Sequence, residues 1–63
     1  MVQLNQAIDE FEKIEPAKAE LVRLRYFLGL TEAEAADALK ISRATASRHW
    51  AFARAWLLDY LSD

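Results

Sequence analysis

The stretch SRATASRHWAFARAW, Ser42 to Trp56, holds three arginines, a histidine and three hydroxyl side chains, and no carboxylate. Cations and hydroxyls set among alanines suit the recognition of phosphates and base edges: guanidinium groups pair with guanine or with phosphate oxygens, and small neighbours let a helix backbone approach closely. Bond-making chemistry is a weaker reading. The chain offers no clustered nucleophile, base and oxyanion-stabilising set and no glycine-rich phosphate loop, so no enzyme activity is expected. Without cysteine, and with His49 as the one histidine, an ordinary zinc site lacks ligands, and no metal or other cofactor is expected. His49 itself reads as a packed or partly exposed helix residue.

Charge sharpens the point. The chain carries a net charge of −2, yet its basic residues are segregated. Residues 1–37 hold four basic side chains against eight acids, whereas residues 38–58 hold Lys40, Arg43, Arg48 and Arg54 and no acid. A duplex repels carboxylates at its surface and rewards cations through counterion release, so local sign matters more than the total. The alternative is a solvated helix that happens to lack acids. The acids before residue 38, among them Glu12 and Glu20, are expected to face away from a duplex.

Four elements must position these side chains. The composition is 54% hydrophobic with one Gly and one Pro, and apolar residues recur every three or four positions, which predicts helices and no strands. Leu4, Ala7, Ile8, Phe11 and Ile14 share one face of a first helix. Pro16 suits the first turn of a second, and Gly29 the left-handed position after its end. TEAE, Thr31 to Glu34, has the form of a capping box opening a third helix. Ser42 can cap a fourth. The expected fold is all-α: residues 1–63 form one small four-helix domain with a C-terminal, wingless helix-turn-helix, its helices at about residues 2–14, 16–28, 31–39 and 43–61. Apolar runs fall far short of a membrane span and no leader pattern is present, which predicts a cytoplasmic protein with no membrane partner.

Along the fourth helix a step of about 100° per residue gathers Ala46, Trp50, Ala53 and Leu57 on a core side. Ala44, Ser47, Arg48, Ala51 and Ala55 lie opposite, with Arg43 and Arg54 toward one flank. Alanine is also the best helix former, which is the plain alternative for this smooth face. Phe11, Leu21, Leu24, Tyr26, Leu39, Ile41, Trp50 and Leu57 are the expected core. Phe52 and Trp56 form a further stripe, either covered by the first helix or left as a partner surface.

The run LVRLRYFLGLTEAEAADALKISRATASRHWAFARAWL resembles the fourth conserved region of bacterial RNA polymerase sigma factors, of the extracytoplasmic-function branch. RYF at Arg25 to Phe27, GLTEAEAA at Gly29 to Ala36, ISRAT at Ile41 to Thr45 and WAFARAWL at Trp50 to Leu57 carry the likeness, which spans about Glu10 to Leu61. It implies a four-helix domain whose last two helices read the minus-35 promoter element as double-stranded DNA. It implies contact through Arg43, Ala44, Thr45, Ser47 and Arg48, to which the basic pattern adds Lys40, Ser42 and Arg54. The flap of the polymerase core and an anti-sigma factor are the implied protein partners, with the isolated domain a monomer. Ala46 stands where the family usually has valine, and Arg43 where Pro or a small residue is frequent, so the family's promoter preference does not carry over. The region that melts promoters in a whole sigma factor has no counterpart here, and Met1 lies close to the domain start, as expected of an excised domain or a natural short protein. Two other readings stay open: a dimeric response-regulator-type helix-turn-helix regulator, and a protein-binding adaptor or decoy that reads no DNA.

Overall fold

The computed structural model describes residues 3–62. It contains α1 (Leu4–Ile14), α2 (Pro16–Tyr26), α3 (Glu32–Leu39) and α4 (Arg43–Leu61), with no strand among the described residues. The fold is all-α, as the three-to-four periodicity predicts. The first helix begins at Leu4, because Gln3 is extended and occupies its N-cap; residue 2, expected to be helical, lies outside the described residues.

The punctuation follows local chemistry. Pro16 opens α2, where its missing N–H leaves no hydrogen bond unmade. That helix ends at Tyr26, two residues earlier than the sequence pattern suggests. Phe27 and Leu28 belong to the turn that follows, where Gly29 takes φ +70 and the Leu30 amide donates back to the Leu24 carbonyl at 3.1 Å. The capping box of α3 is complete: the Glu34 amide donates to the Thr31 hydroxyl at 3.1 Å and the Thr31 amide to the Glu34 carboxylate at 2.8 Å. Lys40 ends α3 in the left-handed region at φ 59, a position that favours glycine. The Ile41 amide closes the turn by donating to the Ala36 carbonyl at 3.0 Å.

Two apolar clusters share α2 and α4. One joins α1, α2 and the C-terminal half of α4 through Ile8, Phe11, Val22, Ala53 and Leu57, with Leu4, Trp56 and Tyr60 packed against it. The other joins α2, α3 and the N-terminal half of α4 through Leu21, Ala35, Ala36 and Ala46, flanked by Leu24, Leu30, Leu39 and Ile41. Trp50 touches both. Three alanines at the second contact let α3 and α4 lie close, and Ala46 is fully buried there.

Of the expected core, Phe11, Leu21 and Leu57 are buried and Leu24, Leu39, Ile41 and Trp50 partly buried. Tyr26 is a correction: it is 50% exposed. Standing in the last turn of α2, it lays its ring against the edge of the core, 5.6 Å from Trp50, instead of entering it. The stripe on α4 divides. Trp56 is partly buried, 5.0 Å from the Phe11 ring and stacked on Tyr60 at 5.1 Å. Phe52 meets Phe11 at 6.2 Å on one side and remains half-exposed on the other.

Candidate nucleic-acid interface

The N-terminal half of α4 is anchored by its cap. Ser42 accepts a hydrogen bond from the Thr45 amide at 3.1 Å and donates from its own hydroxyl to Thr45 Oγ1 at 3.0 Å. Thr45 Oγ1 also accepts from the Arg48 guanidinium at 3.3 Å. A short hydrogen-bonded chain therefore runs from the cap to the middle of the outward face. Thr45 is partly buried, and its hydroxyl oxygen is occupied by Ser42 and Arg48. The bond to Arg48 is a contact the residue spacing alone does not reveal.

Lys40, Ser42, Arg43, Ala44, Ser47, Arg48 and Arg54 are all exposed. They lie on α4 and the turn before it, where Ala51 and Ala55 are likewise exposed.

The state of the cations divides the molecule. Lys13 pairs with Glu10 at 2.9 Å and Lys18 with Glu15 at 2.7 Å, while Arg23 bridges from α2 to Asp9 and Glu12 of α1 at 2.9 and 2.6 Å. The hydrogen bond that Arg23 donates to Asp9, followed by the one it donates to Glu12, pushes its guanidinium still further toward its charged form. Arg25 lies over the Trp50 ring at 4.4 Å, a cation–π contact. None of Lys40, Arg43, Arg48 and Arg54 forms a salt bridge among the described residues. Sequence reasoning grouped Arg25 with the acidic half; only the packing of α2 on α4 brings it to Trp50.

His49 is partly buried, with its Nδ1 shielded and without a hydrogen-bond partner. No group of three or more potential metal-ligating side chains gathers among the described residues. No helix there is long and apolar enough to cross a membrane.

A small helical protein with four cations unpaired among the described residues, and no acid from residue 38 to Leu58, with Asp59 the one carboxylate of α4, has the surface of a nucleic-acid-binding protein. A family model of ECF sigma factors matches residues 1–63, and the chain belongs to that family. It is thereby a DNA-binding protein of transcription initiation, in a family of transcription factors rather than enzymes, whose members act on promoter DNA together with RNA polymerase. No individual curated protein and no solved structure matches the chain.

Proposed function

We propose that this chain is the region 4 module of its sigma factor, and that α3, the Lys40–Ser42 turn and α4 act as a helix-turn-helix reading the minus-35 element. The observation that carries the proposal is the division of cations: those of α1 and α2 are held by carboxylates or by Trp50, and those of the turn and α4 form no ion pair among the described residues. A free cation can replace a condensed counterion on DNA without first breaking an internal pair.

In this reading α4 enters the major groove, which is about 12 Å wide, with Ala44, Ala51 and Ala55 allowing close approach. Arg48, oriented by Thr45, pairs with a guanine edge. Lys40, Arg43 and Arg54 contact phosphates, which set affinity and register, and Ser42 and Ser47 add hydroxyl contacts to the backbone. Docking on the polymerase flap is supported by the exposed apolar run Tyr26, Phe27 and Leu28 at the end of α2, where Leu28 is 68% exposed. An anti-sigma factor could use the same surface. The isolated chain is read as a monomer.

Titration of the chain with duplex DNA at several salt concentrations, beside its mass in solution, tests this reading. The expected result is a monomer that prefers a promoter site to a scrambled duplex and weakens steeply with salt. A dimer requiring two half-sites would indicate the regulator architecture. Binding to polymerase without measurable DNA affinity would indicate an adaptor.

A further inference from the structure

The two flanks of the outward face of α4 differ in chemistry. A step of about 100° per residue puts Arg43, Ser47 and Arg54 on one flank of Arg48. Thr45 and Phe52 lie on the other, and Phe52 follows Arg48 by one turn. Trp56, one turn further along that flank, is partly buried, whereas Phe52 is 47% exposed. Its ring is held on its inner side: Phe11 stacks on it at 6.2 Å and the Lys18 ammonium lies 5.0 Å from its centroid. Lys18 is itself paired with Glu15 at 2.7 Å, so the corner between α1 and α2 brings a balanced ion pair to this flank instead of a bare carboxylate.

We infer that Phe52 is a second reading residue of α4, which contacts the C5-methyl group of a thymine one or two base steps from the guanine that Arg48 pairs with. The inference rests on the groove reading proposed above and extends it to a base class. In the major groove thymine alone presents a methyl group, and apolar side chains, phenylalanine included, recognise it by contact. A ring already fixed by Phe11 and Lys18 loses little side-chain freedom on binding, which favours a contact made by a single exposed aromatic. On the cationic flank the exposed apolar side chains, Leu58 and Leu61, lie ten or more residues from Arg48, about 15 Å or more along the helix axis.

The test uses a binding site selected by the 63-residue chain from random duplexes. Each thymine is then replaced singly by deoxyuridine, which lacks only the methyl group. The wild-type chain should select a T·A pair within two steps of the guanine lost from the R48A preference. Replacing that thymine by deoxyuridine should weaken binding about fourfold, the weight of one buried methyl group. F52A should bind the two duplexes equally, F52L should keep part of the ratio, and R48A should keep it in full. Thermal melting confirms that each variant is folded; F52L, which preserves an apolar contact to Phe11, carries the comparison if F52A does not fold. No thymine at that position, no methyl effect in the wild type, or an F52A ratio equal to wild type would each overturn the inference. A wild-type chain that prefers no sequence at all would instead overturn the groove reading on which it rests.

Discussion

The two clusters that meet at Trp50 are built from different materials. On the α1 side the contact is made by bulk: Phe11, Ile8, Val22 and Leu57 are buried and Trp56 and Tyr60 close over them. On the α3 side it is made by alanines, with Leu21 the one large side chain fully buried there and its neighbours only partly covered. The thin cluster is reinforced by hydrogen bonds at its edges: the capping box at Thr31, the cap at Ser42 and the amides folded over the Lys40 turn. The difference separates two tasks. Apolar burial that stabilises the chain is concentrated beside the acidic, internally paired helices. The half of α4 with the free cations keeps an exposed face and depends on caps for its geometry.

Phe11→Ala should break this comparison most severely. It removes a fully buried ring that also touches Phe52 and Trp56, and about 3 to 5 kcal/mol is the usual loss. A chain of this length has roughly 3 to 9 kcal/mol in all, so a melt of F11A should show most of the cooperative transition gone. Trp50→Ala strikes both clusters at once, and its melting should fall by about 3 kcal/mol. A W50A melt unchanged from wild type would contradict the joint role of the indole.

Smaller changes sharpen the comparison on the α3 side. Thr31→Ala and Ser42→Ala should each cost about 1 kcal/mol in chemical denaturation. S42A should in addition reduce sequence preference, because Ser42 supports Thr45 and, through it, Arg48; T31A should leave that preference alone. Lys40→Gly should move stability and binding in opposite directions. Glycine relieves the left-handed strain at φ 59, raising stability by up to about 1 kcal/mol. The lost phosphate contact should flatten the salt dependence of DNA binding by about 0.9 in the log–log slope. The weakest effect belongs to Arg23→Ala, which breaks exposed pairs to Asp9 and Glu12 and should lower stability by less than about 1 kcal/mol. DNA affinity in R23A, and in charge reversals of Glu12 or Glu20, should stay nearly constant. A large loss of affinity in any of these would mean that the acidic helices face the duplex.

Much of this arrangement is legible in the residues. Pro16, Gly29, Thr31 with Glu34, and Ser42 act through contacts within a few positions, so the breaks they mark need no knowledge of the fold. The inward line Ala46, Trp50, Ala53 and Leu57 follows from helical period alone. What is not legible depends on how far helices lie from one another. Tyr26 sits on the inward line of α2 but in its last turn, at the edge of the core, so it ends half-exposed. Arg23 looks like one cation among several until α1 brings Asp9 and Glu12 to it. The resemblance implies that Thr45 touches DNA, but its bond to Arg48 depends on side-chain rotamers that no spacing encodes. The division of the Phe52 and Trp56 stripe is likewise decided by where Phe11 lands.

The central claim is that α4 reads sequence through Arg48 while the other free cations supply affinity. Parallel titrations of the wild-type chain, R48A and R54A against a selected promoter site and a scrambled duplex test it most directly. Loss of a bidentate arginine–guanine pair removes about 1 to 3 kcal/mol of discrimination. R48A should therefore bind the selected site roughly ten- to a hundredfold more weakly with little change on the scrambled duplex, whereas R54A should weaken both alike. If R48A lowers both affinities by the same factor, Arg48 is a phosphate contact and the assignment of the reading residue is wrong.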